Sequence, residues 1–114
     1  MSEYLPFVAA HRDESAWFAL GDGTRRAIVL ALAERPQSVG EIADGLPVTR
    51  PAVSQHLKVL KQSGMVTEQA VGTRRVYRLN TAGVLALRDQ LDTFWSRAIA
   101  SYQDVVEQPT EENS

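Results

Sequence analysis

Apolar residues recur at three- and four-residue steps along most of this chain, and in one stretch they alternate every second residue. The sharpest pattern is Thr49-Arg50-Pro51-Ala52-Val53-Ser54-Gln55-His56-Leu57-Lys58-Val59-Leu60-Lys61. Wound as a helix, it turns Val53, Leu57 and Leu60 to one face and Arg50, Ser54, Gln55, Lys58 and Lys61 mostly to the other. Thr49 suits the N-cap, and Pro51 is tolerated because first-turn N–H groups have no intrahelical acceptor. Before it, Ala16-Trp17-Ala19-Leu20 predicts a short helix with Asp13 or Ser15 near its start. Gly21-Asp22-Gly23 ends that helix, and Asp22 caps the next. The apolar run Ala27–Ala33 is long enough for a buried strand. Its Ala and Leu content and the cap before it favour a buried central helix that stops ahead of Pro36. Ser38-Val39-Gly40-Glu41 is a capping box for a short helix with Ile42, Ala43 and Leu46 on its apolar side, stopped by Gly45 and Pro47.

Beyond residue 61 the period changes. Gly64 serves as the glycine that closes the preceding helix. Met65–Val71 alternates apolar and polar, Gly72-Thr73 is a turn, and Arg74–Leu79 is rich in β-formers, which together predict a β-hairpin. Asn80 or Thr81 then caps a last helix that runs to about Glu107. Its apolar stripe is Val84, Leu87, Leu91, Phe94, Trp95, Ile99, Tyr102 and Val106, about 34 Å long at helical rise. Three short helices and a hairpin can hardly cover such a stripe. Pairing with the same helix of a second subunit is the economical solution, with Trp17 and Phe18 assisting; an intramolecular bundle helix is the alternative. The expected interface is Trp17, Leu87, Leu91, Phe94, Trp95, Ile99 and Tyr102.

The predicted order is α-α-α-α-β-β-α, mainly helical with a β-hairpin wing (α+β). Two short helices joined by a tight turn and followed by a hairpin are a winged helix-turn-helix. Residues 1–12 form a lead-in, residues 13–107 the single domain, and residues 108–114 a polar tail expected to be disordered.

Charge sharpens the picture. The net charge is −2, yet residues 50–78 carry six basic side chains and one acidic one, an acidic body holding a basic segment. Local contact with phosphates requires such a distribution, although accidental clustering on a solvated surface would look the same. The charged fraction of 23% beside 44% hydrophobic residues excludes wholesale disorder. The absence of cysteine excludes disulfides and thiolate metal ligands and fits a reducing compartment. No apolar run approaches a membrane span, and Met1–Pro6 lacks the features of a signal peptide, so a cytoplasmic protein is expected. There is no catalytic Ser/His/Asp or Cys/His set and no phosphate-cradling glycine loop, so no enzymatic activity and no cofactor are expected.

Four blocks carry a family resemblance. Ala19–Ile28, Ser38–Ala43, Pro51–Leu60 and Gly72–Leu79 resemble, in that order, the ArsR family of bacterial winged-helix repressors. The Val53–Leu60 block is the most specific. Gly23 stands where many relatives have proline. The resemblance implies a homodimer built on the first and last helices and a repressor that occupies an operator. Classical members sense metals through cysteines or through His/Asp/Glu clusters. This chain has no cysteine, and its histidines are His11 and His56, so it is more similar to the subgroup without a metal-sensing site.

The expected partner is double-stranded DNA. Arg50, Pro51, Ser54, Gln55, Lys58 and Lys61 would lie in or beside the major groove, with Arg74 and Arg75 of the wing at the minor groove or phosphates. Arg78 contacts DNA or pairs with the body. Arg25 is a lesser candidate for phosphate contact. His56 is structural, DNA-contacting or, least of all, a metal ligand. Two other readings stay open: a winged helix used for protein–protein interaction, and a repressor released by a small apolar ligand at the dimer interface near Trp17 and Trp95.

Overall fold

Helix α1 (Ala16–Ala19) and α2 (Gly23–Glu34) open the structure, a computed structural model that describes residues 16–107. The expected starts at Asp13 or Ser15, His11, the lead-in 1–12 and the tail 108–114 lie outside the described residues. The chain divides into a first unit ending at Val84 and a second beginning at Leu85.

In the first unit, α2 is followed by β1 (Gln37–Ser38), α3 (Val39–Asp44), α4 (Arg50–Gln62), β2 (Val66–Val71) and β3 (Arg74–Leu79). The predicted caps form. Asp22 Oδ1 accepts from the Arg25 N–H at 3.0 Å, and the Thr49 hydroxyl accepts from the Ala52 N–H at 3.3 Å. At α3, Ser38 Oγ accepts from the Glu41 N–H at 3.3 Å while Glu41 Oε1 accepts from the Ser38 N–H at 3.0 Å. Each bond satisfies a donor that the start of a helix leaves orphaned.

The core gathers Ile28 and Leu32 of α2, Ile42 of α3, Val53, Leu57 and Leu60 of α4, and Met65 and Val66, all buried. Full burial of each large aliphatic side chain stabilises by roughly 1.5–3 kcal/mol. The Ala27–Ala33 run is helical as expected but not buried all round. Ile28 and Leu32 face inward, whereas Leu30 is 69% exposed, because one face of the helix suffices to cover the core.

The sheet corrects the predicted order. It has three antiparallel strands, β1-β3-β2, and β1 precedes α3 where only a cap was expected. Gln37 pairs with Tyr77 and Ser38 with Val76. Two residues are too few to show a strand's alternation, and β1 exists only because β3 lies beside it. Gln37 is buried, and its Nε2 donates to the Ala31 carbonyl at 2.7 Å, serving an acceptor near the end of α2. In the hairpin, Val71 pairs with Arg74 around the two-residue turn Gly72-Thr73. Gly72 has φ +64°, which suits a glycine in the first turn position.

Helix α4 ends in a Schellman motif: the Met65 N–H donates to the Leu60 carbonyl at 3.0 Å and the Gly64 N–H to the Lys61 carbonyl at 3.1 Å, with Gly64 at φ +84°. Asn80 then secures this turn. Its backbone N–H donates to the Met65 carbonyl, and its side-chain Nδ2 to the Gly64 carbonyl, each at 2.9 Å. Gly83, in the first turn of α5 (Thr81–Glu107), approaches the same Gly64 carbonyl so closely that a Cβ would overlap it.

The second unit is the rest of α5, helical through Glu107, the last described residue. Phe94, Trp95, Ile99, Tyr102, Val105 and Val106 are exposed, and the Phe94 and Trp95 rings meet edge to face at 5.2 Å. Leu91 is half-buried. Leu87, placed in the expected interface, is buried, at 6% exposure.

Candidate nucleic-acid interface

The outer face of α4 follows from its inner one. With Val53, Leu57 and Leu60 committed to the core, helical geometry leaves Arg50, Pro51, Ser54, Gln55, Lys58 and Lys61 exposed. The two-residue hairpin turn sets Arg74 and Arg75 at the start of β3, both exposed. Arg50, Arg74 and Arg75 line one open recess of about 550 Å³ with Gly40, Glu41 and Asp44 of α3. Gly40 makes this approach possible: the Arg50 guanidinium carbon lies 3.1 Å from where a Cβ on Gly40 would stand.

Two carboxylates hold three of the eight expected DNA-facing residues. Glu41 pairs with Arg74 of the wing, and with Arg35 at 3.1 Å. Glu68 pairs with Lys61 of α4, and with Arg75 at 3.5 Å. The Ser38 N–H, followed by Arg35, brings the Glu41 carboxyl down to about 2. The hydrogen bond from Lys61, aided by Tyr77, holds Glu68 below the usual carboxylate range. Burial, and then Glu68 itself, push the Tyr77 phenol up. Neither carboxylate stood out in the sequence as part of the face. Glu41 was visible only as a cap. Glu68 and Arg75 could have been paired once the Gly72-Thr73 turn set the register, since Ala70 opposite Arg75 puts Glu68 on the adjacent diagonal. Arg78 donates to Gln69 Oε1 across the hairpin at 3.2 Å and remains exposed.

Arg25 is placed differently from a phosphate ligand. Its Nε donates to the Ala19 carbonyl at 2.7 Å, its Nη2 to the Phe18 carbonyl at 3.5 Å, and its Nη1 meets His56 Nδ1 at 3.3 Å. Arg26 donates to the Leu20 carbonyl at 2.6 Å. The carbonyls at the end of α1 therefore supply the negative charge that two cations at a helix N-terminus need. His56 is half-buried and joins α4 to that cluster.

Among the described residues no group of three or more His, Asp or Glu side chains could hold a metal ion, and no helix is long and apolar enough to cross a membrane.

A helix-turn-helix whose second helix exposes a polar face beside a β-hairpin wing defines a winged-helix DNA-binding regulator. Residues 22–68 match the family described as bacterial regulatory protein, arsR family. The chain is 56% identical over 94 residues to the HTH-type transcriptional regulator Rv2034 of Mycobacterium tuberculosis, covering 82% of this chain and 88% of that protein. It is 49% identical over 61 residues to the HTH-type transcriptional repressor SmtB of the same species, covering 54% of this chain and 45% of that one. In structure it is similar to the homodimeric winged helix-turn-helix DNA-binding domain of Mb0332 from Mycobacterium bovis, with a TM-score of 0.60, 28% identity and 86% of each chain covered. The chain belongs to the ArsR family of transcriptional regulators, a class that is not enzymatic.

Proposed function

We propose that this protein is a cytoplasmic repressor that binds an inverted-repeat operator as a homodimer. The observation that carries the DNA reading is the exposed polar face of α4 beside the arginines of the wing. In this reading α4 enters the major groove with its N-terminal half foremost. Arg50 donates two hydrogen bonds to a guanine, and Gln55 recognises an adenine; Pro51 and Ser54 lie at the groove with them. Lys58 and Lys61 meet phosphates, and Arg74 and Arg75 reach the minor groove or the adjacent backbone. The dimer reading is supported by the exposed stripe Phe94, Trp95, Ile99 and Tyr102, by half-buried Leu91 in the same helix, and by the homodimeric relative; Trp17 of α1 is also half-buried. Two recognition helices related by a two-fold axis meet half-sites about one DNA turn, roughly 34 Å, apart.

The test is fluorescence anisotropy across a salt series, with DNA from the protein's own upstream region located by footprinting. Binding should weaken steeply between about 50 and 200 mM salt. Arg50→Ala should cost ~1–3 kcal/mol and relax preference at one position, whereas Arg75→Ala should weaken all sequences alike and lower the salt slope by about one. Binding that ignores salt and both substitutions would point instead to a protein-interaction module.

A further inference from the structure

The cations of the proposed DNA face fall into two groups. Lys61, Arg74 and Arg75 are held by carboxylates, Glu68 and Glu41, on neighbouring elements. Among the described residues, none of the four ion pairs involves Arg50 or Lys58. Every held cation is assigned to phosphates or to the wing, where attraction does not depend on sequence, and Lys58 is the one phosphate-assigned cation of the face left unheld. Arg50, assigned to a base edge, stands outside the held group. Lys61, Arg74 and Arg75 are each more than half exposed, and ion pairs of exposed cations are weak, so each held cation can exchange its carboxylate for a phosphate. The carboxylate stays beside the DNA after the exchange and opposes the phosphate charge.

We infer that Glu41 and Glu68 are specificity-determining positioning residues. They aim Arg74, Arg75 and Lys61 and weaken the sequence-independent part of DNA binding, while leaving the base contacts of Arg50 and Gln55 untouched. This rests on the DNA-binding reading above. Glu41 is well built for the task, because the Ser38 N–H and Arg35 fix its carboxylate while Arg74 approaches from the wing. Glu68 occupies the matching place on β2, between Lys61 of α4 and Arg75 of β3. The hairpin is thus tied electrostatically to the helix-turn-helix by two ion pairs, Arg74 with Glu41 and Glu68 with Lys61.

The test uses the full chain with Glu41→Gln, Glu68→Gln and the double substitution. Glutamine keeps the acceptor for the capping box and for Tyr77 while removing the charge. Two duplexes serve as probes: one enriched from a random-sequence pool by the wild-type protein, and its shuffled permutation. For the shuffled duplex, each substitution should steepen the salt slope by about 0.9 and the pair should tighten binding by about tenfold near 100 mM salt. The enriched duplex should gain less, so the ratio of the two affinities should fall. Glu68→Asp, which keeps the charge, should keep the wild-type slope. Unchanged slopes, an equal gain for both duplexes, or an aspartate variant as steep as the glutamine one would each overturn the inference. If the wild-type protein shows no salt-dependent affinity for either duplex, the DNA-binding reading fails and takes the inference with it.

Discussion

Gly83 has no room for a side chain. The Gly64 carbonyl occupies the space where its Cβ would be, and Asn80 fixes that carbonyl in place with a hydrogen bond. Gly83→Ala must therefore push the start of α5 away from the end of α4. The expected cost is about 1–3 kcal/mol, the usual range for overpacking a fitted site. A drop in the midpoint of denaturant unfolding with unchanged slope would show it, whereas an unchanged midpoint would mean the approach relaxes freely. Alanine ordinarily favours a helix over glycine, so propensity predicts the opposite sign. Gly64 was legible as a helix-closing glycine because its reason is local: φ +84° at the residue after the cap. Gly83 was not, because its reason lies in another helix's end. Arg25 teaches the same lesson, since its acceptors in α1 cannot be read from a basic residue in a helix's first turn.

At the scale of elements, α3 and α4 were legible nearly to the residue. Caps and apolar spacing are short-range properties, and the two helices are capped by the predicted Ser38 and Thr49. Strand β1 was illegible because two residues have no period and its hydrogen bonds belong to β3. The start of α3 also has a pH signature. In the folded chain Glu41 is lowered from 4.5 to about 2, so its ionised form favours folding. That contribution is complete above the unfolded value and is lost as pH falls from about 4.5 towards 2. Melting temperature should decline through this window, and Glu41→Gln should flatten the decline while changing neutral-pH stability less than removal of Ser38. Thermal melts at stepped acidic pH would check this; identical acid profiles for wild type and variant would contradict it.

At the scale of the whole molecule, the apolar stripe of α5 and the local basicity of residues 50–78 were both visible in the sequence. The body residues that hold the cations were not, since ion pairs between elements depend on their arrangement. The stripe makes its own demand. Ile99, Tyr102 and Val106 of the stripe are each more than half exposed, and contiguous exposed apolar surface of this kind marks an interaction site. Ile99→Glu, which places a charge in that stripe, should convert a dimer to a monomer by sedimentation equilibrium. Under the proposed two-half-site reading it should also weaken DNA binding far more than Lys58→Ala, because one α4 alone would lose the second half-site. A variant that sediments as wild type would remove α5 from the interface.

The contact between Arg25 and His56 has a spectroscopic consequence. A guanidinium can only donate, so this contact favours the His56 tautomer with Nδ1 bare and the ring hydrogen on Nε2. That tautomer is favoured for as long as the end of α1 and the middle of α4 stay joined. Nitrogen-15 shifts of that single imidazole report whether the joint survives when DNA arrives. In a chain whose other histidine is His11, the recognition helix thus carries its own built-in probe.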